Sequence, residues 1–235
     1  MNGPDARPWV VFLRHGHSAW NLSNRFTGWT DIALTGVGID EAEWAGHRLA
    51  QAGYRFDEAH VSALRRTRQS ALAVLAAAGA AGAPIHASWR LNERHYGALQ
   101  GLNKAEIFAV WGEEAARAWW RGYRQPPPAV AADDPRHPRH DPRYAGLVPA
   151  ELPAGESLRD CQARALPYWN EVLLPRIAAG RRLLVVSHGN TLRGLVMHLD
   201  GLGPEAMERV EIPSGVPLIY RFSPALAVAA RHWLE

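Results

Sequence analysis

A chain of 235 residues that is 47% hydrophobic and 21% charged has the composition of an ordinary globular domain with a sizeable core. A formal net charge of +3, with arginines scattered along the chain, argues against nucleic acid as a partner. The single cysteine, Cys161, excludes an internal disulfide framework and a thiolate metal cage. Met1 to Pro8 carries no signal-peptide core, and no apolar run has the length of a membrane span. The expectation is therefore a cytoplasmic protein that does not engage a membrane.

In chain order, Trp9 to Leu13 reads as a buried strand that stops at Arg14-His15-Gly16. In open α/β sheets, ligands bind at that carboxyl end of the strands. Thr35 to Ala52 follows as a helix, with Thr35 as its cap and Gly53 as its stop. His60 to Ala63 reads as a second strand ending at Arg65-Arg66, and Thr67 to Ala78 as an alanine-rich helix closed by Gly79. Two short helical patterns, Lys104 to Trp111 and Glu113 to Tyr123, lead into an irregular segment from Pro126 to Pro153. Glu156 to Ala179 is expected to be a helix bent at Pro167 or broken near Pro175. Leu183 to Val186 is the clearest buried strand and ends at Ser187-His188-Gly189-Asn190. A helix from Thr191 to Leu199 and a strand from Pro217 to Phe222 complete the reading.

Strands alternating with helices predict a three-layer α/β sandwich with a mostly parallel sheet. The whole chain, 1–235, is expected to be one domain carrying an insertion at about 102–154 that covers the site.

His15 and His188 each follow an apolar strand and precede a glycine. Parallel strands would bring both imidazoles to one sheet edge, with Arg14 beside the first and Arg66 arriving from a third strand end. A histidine among arginines supplies a nucleophilic nitrogen inside a phosphate-binding corner. Ser18, Asn21, Thr27 and the backbone at Gly16, Gly28 and Gly189 add donors for an anion. A metal site is the rival reading of paired histidines. The adjacent arginines would repel a divalent cation, and no carboxylate stands at ligand spacing, so no metal is expected. Glu93 is the best-placed proton acceptor by context, although a carboxylate among cations also suits a surface ion pair.

Six strings carry a resemblance: Leu13-Arg14-His15-Gly16; Asn24 to Trp29; LNERHYGALQGLNK at 91–104; His140 to Tyr144; His188-Gly189-Asn190; and Ile212 to Pro217. Together they resemble the 2,3-bisphosphoglycerate-dependent phosphoglycerate mutases of the histidine phosphatase superfamily, from about Val10 to Phe222. The resemblance implies interconversion of 3-phosphoglycerate and 2-phosphoglycerate, a step of glycolysis and gluconeogenesis, in a metal-independent homodimer. It implies that 2,3-bisphosphoglycerate primes a phosphohistidine at His15. Arg14, Arg66 and His188 would surround the phosphoryl group, and Glu93 would be the acid/base. Ser18, Asn21, Thr27, Gly28, Gly189 and Asn190 would line the substrate pocket. Arg94, Tyr96, Lys104 and Arg121 would hold the substrate carboxylate and second phosphate. Dimer contacts would fall at the 53–63 edge region.

The chain departs from that pattern in three places. His17 stands where a glutamate is usual. Trp120 stands where the first of two consecutive arginines is usual, with Arg124, one helical turn on, as a possible substitute. The chain ends at Glu235, soon after the last strand. These departures favour the alternative of a histidine-type phosphatase acting on other small phosphomonoesters. A non-catalytic phosphate sensor is a third reading, opposed by the joint presence of His15, His188, Arg14, Arg66 and Glu93.

Overall fold

The computed structural model describes residues 8–234. Its first half contains β1 (Trp9–Arg14), a single-turn α1 (Ala19–Leu22), α2 (Gly36–Gln51), β2 (Glu58–Val61), α3 (Arg65–Ala77), β3 (Ile85–Ala87), α4 (Lys104–Trp111) and α5 (Glu113–Arg121). The second half contains α6 (Leu158–Tyr168), α7 (Leu174–Ala178), β4 (Leu183–Ser187), α8 (Gly189–Leu199), α9 (Pro204–Glu208), β5 (Leu218–Phe222) and β6 (Val228–Trp233). The strands form one sheet in the order β3-β2-β4-β1-β5-β6. The first four are mutually parallel; β5 pairs antiparallel with β1, and β6 pairs antiparallel with β5 at the outer edge.

Side chains alternate across the sheet because successive residues of a strand point to opposite faces. Val11 and Leu13 pack with Ala45 and Leu49 of α2 and Val74 of α3 on one face. Val10 and Phe12 pack with Ala165 of α6, Ile177 of α7 and Leu195 of α8 on the other. Both faces are thus covered, which is why β1 and β4 read as continuous apolar runs. Truncating a fully buried residue such as Leu184 to alanine would cost about 2–5 kcal/mol.

β1 and β4 are neighbours, and Arg14 lies opposite Ser187. His15 N–H donates to the Ser187 carbonyl at 3.0 Å, so the two strands end in step and release His15 and His188 side by side. The turn after β1 lies directly on α2: a Cβ on Gly16 would stand 2.0 Å from the Gly38 carbonyl oxygen. Only glycine permits that approach. Thr35 caps α2 by accepting from the Gly38 N–H, fixing the helix end against which the turn rests.

Pro167 sits inside α6, and the break comes later, as a π-helical turn over Trp169–Leu173 ahead of Pro175 in the first turn of α7. Proline has no N–H to continue an α-helical ladder, and the widened turn accommodates that loss. The 126–153 segment contains three short 3-10 turns, Pro138–His140, Pro142–Tyr144 and Pro149–Glu151. Arg136 fastens it to the Ala98 and Gln100 carbonyls, and Arg143 fastens it to Asp31. One expectation is corrected: 53–63 is not a sheet edge. It contains β2, and β3 pairs outside it.

Candidate active site

His15 leaves the end of β1 with only 5% of its surface exposed. Its Nδ1 is 2.7 Å from the Gly16 carbonyl oxygen. A carbonyl only accepts, so the ring proton resides on Nδ1 and Nε2 keeps its lone pair. Arg66 Nε donates to that Nε2 at 3.3 Å. Burial, then Arg66 and Arg14, holds the His15 pKa well below 6.5. The imidazole is therefore neutral at physiological pH, as a nucleophile must be.

The His188 ring lies 5.0 Å from that of His15, at an interplanar angle of 65°. Its Nε2 is paired with the Ser62 hydroxyl at 2.8 Å, while its Nδ1 is buried with no protein partner. Burial, followed by Arg66 and His15, keeps His188 neutral as well. Arg66 is held in the first turn of α3 by donating to the Thr30 and Gly28 carbonyls, at 2.9 and 2.8 Å. Burial lowers its pKa to about 10, so it remains cationic. Gly28 itself has φ +52, and a Cβ there would strike the Gln100 side chain. Arg14 Nη1 donates to the Ile212 carbonyl at 3.0 Å, and its Nε is buried and unpartnered. Unpartnered polar atoms in a buried, cationic corner are suited to an anion.

Glu93 faces this corner across the pocket. Its Oε1 accepts from the N–H groups of Arg94 and Asn190, at 2.8 and 3.2 Å. Its own carbonyl accepts from Trp29 Nε1 and from Arg164 Nη2. Arg164 also donates to the Asn92 carbonyl and pairs with Glu156, which accepts the His95 N–H. The turn that carries the carboxylate is thereby held from both sides.

One pocket of about 120 Å3 joins these groups. Of the residues singled out in the sequence, Arg14, His15, Arg66 and Glu93 line it, as do Asn21, Thr27, Gly28 and Tyr96. Lys104, Arg121, Gly189 and Asn190 complete that set. His188 stands behind His15 and is fully buried.

Two expected ligands lie off the wall. Ser18 caps α1 and binds the Asn21 carboxamide, so it orients Asn21. Arg94 is completely buried and donates to the carbonyls of Trp119, Trp120 and Gly122 at the end of α5. Its guanidinium anchors that helix. Arg124 is exposed and off the wall, so it does not stand in for the missing arginine. His17 is also off the wall, and its N–H donates to Glu41.

Trp120 does reach the pocket, with Lys104 Nζ 5.3 Å and Arg121 Cζ 5.1 Å from its ring. Arg25, Arg193, Glu211 and Ile212 line it too and were given no site role from the sequence. Arg193 occurs one turn after His188-Gly189-Asn190, and that spacing on a helix was the available signal. Nothing local marks Glu211. Among the described residues, no three His, Cys, Asp or Glu side chains gather where they could hold a metal ion.

Fold and site together define a histidine-centred, cation-lined pocket at the carboxyl edge of an α/β sandwich. The chain belongs to the histidine phosphatase superfamily (branch 1), which matches residues 10–225. It is 52% identical to a 2,3-bisphosphoglycerate-dependent phosphoglycerate mutase of Nitratidesulfovibrio vulgaris (strain DSM 19637 / Miyazaki F), over 96% of this chain and 90% of the relative. It is 47% identical to the enzyme of the same name from Nitrosococcus oceani, over 96% and 94% of the two chains. Among solved structures, Bacillus stearothermophilus YhfR superposes with a TM-score of 0.71 at 22% identity, covering 94% of each chain. A mycobacterial glucosyl-3-phosphoglycerate phosphatase superposes with a TM-score of 0.69 at 24% identity, over 97% and 96%. At such identities the structural likeness concerns the fold.

Proposed function

We infer that the protein is a phosphoglycerate mutase interconverting 3-phosphoglycerate and 2-phosphoglycerate, with His15 as the phosphoryl carrier. The observation that carries this reading is the neutral His15, its Nε2 lone pair directed at Arg66, in a pocket shared with Glu93. The wall sets six cationic side chains (Arg14, Arg25, Arg66, Lys104, Arg121 and Arg193) against two carboxylates, Glu93 and Glu211. That excess suits a ligand bearing two phosphates and a carboxylate, and the unpartnered Nε atoms of Arg14 and Arg193 point the same way.

When bound, 2,3-bisphosphoglycerate supplies the phosphoryl group that primes His15. Its fit rests on Arg14 and Arg66 at the histidine end and on Lys104 and Arg121 at the other. In turnover, His15 Nε2 gives up its phosphoryl group to the substrate hydroxyl, whose proton passes to Glu93. His15 then takes the other phosphoryl group, and Glu93 returns the proton to the oxygen left behind. Arg14, Arg66 and His188 offset the negative charge on the transferring oxygens at each step. The reading needs no metal and places the enzyme in the cytoplasm as a homodimer. Sedimentation in solution tests the assembly state. No helix among the described residues is long and apolar enough to cross a membrane.

Trp120 favours a second reading, a phosphatase for other small phosphomonoesters, because it puts an uncharged ring among the pocket's cations. Phosphorus NMR with 3-phosphoglycerate, a trace of 2,3-bisphosphoglycerate and a chelator separates the two. Growth of 2-phosphoglycerate with little free phosphate supports the mutase. Accumulating inorganic phosphate without isomerisation overturns it in favour of the phosphatase.

A further inference from the structure

Arg193 lies on α8, is 5% exposed and lines the pocket. Its Nη1 donates to Asn190 Oδ1 at 3.1 Å and its Nη2 to the Met207 carbonyl at 2.8 Å. Its Nε is buried with no partner among the described residues. Only neutral groups of the protein therefore face this guanidinium through hydrogen bonds. A buried charge without a counter-ion is costly unless something neutralises it.

Arg121 is in the opposite situation. It already pairs with Glu211 at 2.5 Å, and Glu211 is 69% exposed on the pocket rim. A substrate anion must compete with Glu211 for Arg121, whereas Arg193 forms no ion pair among the described residues and feels Glu211 only from farther off. Burial, then Arg121 and Arg94, lowers the Arg193 pKa to about 10, so the group remains cationic at neutral pH. The Arg193-bound Asn190 donates in turn to the Tyr96 hydroxyl at 2.9 Å. This chain of contacts aligns three polar groups along the wall that faces the end of α5.

We propose that Arg193 is a substrate-binding residue. In this reading it holds the anionic end of the phosphoglycerate remote from His15 and supplies the charge that Trp120 does not. The assignment rests on the phosphoglycerate reading given above. Arg193 acts by a charge-assisted contact to a carboxylate or phosphate. Trp120 meanwhile spaces Lys104 and Arg121 through its two ring contacts.

The test is calorimetric binding of 3-phosphoglycerate and, separately, of inorganic phosphate to the unphosphorylated protein and its variants. Arg193→Met is expected to weaken 3-phosphoglycerate about ten- to a hundredfold. Inorganic phosphate, which needs only the His15 corner, should change by less than about twofold. Arg193→Lys should recover part of the loss, and adding Trp120→Arg to Arg193→Met should recover more. Unchanged 3-phosphoglycerate binding in Arg193→Met overturns the proposal. So does an equal loss for both ligands, the mark of a residue that merely anchors the Met207 segment. Because binding is read without turnover, a wild type that fails to isomerise would sink the mutase reading and still leave Arg193 to be judged.

Discussion

The histidine end of the pocket and the Trp120 end rest on different supports. Arg14, His15 and His188 issue from adjacent parallel strands whose register is set by Arg14 opposite Ser187, with packed cores on both faces. Their positions follow from the sheet itself. Lys104, Trp120 and Arg121 come from α4 and α5, outside the sheet, and are tied in by Arg94 at the end of α5 and by cation–π contacts. In the proposed mechanism the strand-end groups perform the phosphoryl transfer, whereas the helical end meets the rest of the substrate. Trp120, one of the chain's departures from the mutase pattern, lies at the helical end, whereas His17, another, follows the strand-end histidine. In that mechanism the chemistry rests on the sheet, and the contacts to the remainder of the substrate rest on helices outside it.

That contrast can be broken most directly at Glu93. Glu93→Gln keeps the shape and removes the proton acceptor, so kcat should fall on the order of 10²–10⁴-fold with KM changed only a few-fold. A large rise in KM at nearly normal kcat would move Glu93 from the chemical end to the binding end.

Acid stability probes the buried histidines of the scaffold. His15, His60, His95 and His188 all have folded pKa values below 6.5, chiefly through burial, to about 4 for His60 and about 3 for His95. The unfolded chain binds these protons as pH drops through 6.5 and the folded chain does not, so stability falls with falling pH across that window. Each group contributes about 1.4 kcal/mol per pH unit while only its unfolded form is protonated. Urea unfolding at pH 7.5 and pH 5 should show the loss. Equal stabilities would mean that the rings are already charged in the fold.

The smallest effect belongs to the rim. Glu211→Gln frees Arg121 from an exposed pair worth about 0–1 kcal/mol, so KM for 3-phosphoglycerate should fall by up to about fivefold. A rise in KM would make Glu211 a substrate contact and blur the distinction between Arg121 and Arg193.

The same division governs what could be read from the sequence. β1 and β4 are short apolar runs ending in Arg-His-Gly and Ser-His-Gly, and burial on both faces makes such strands conspicuous. The reading missed β3, three residues only partly buried, and β6, an Ala-rich outer strand. Neither has the alternation that marks a half-buried strand. Arg94 was expected in the pocket from the family resemblance, but its guanidinium turns to the carbonyls that α5 leaves free. Arg193 and Glu211 reach the wall from α8 and from the loop after α9. For Arg193 the one local hint is its place one helical turn after His188-Gly189-Asn190, whereas Glu211 depends on how its loop packs and nothing local announces it.

The central claim is that His15 carries the phosphoryl group. Brief exposure to labelled 2,3-bisphosphoglycerate, alkaline quenching and peptide mapping test it without any coupled assay. The account predicts one acid-labile, base-stable phosphoryl group on the peptide containing His15, absent from His15→Ala, and released when 3-phosphoglycerate is added before quenching. Label on another residue, or none on a wild type that still isomerises 3-phosphoglycerate, would contradict it.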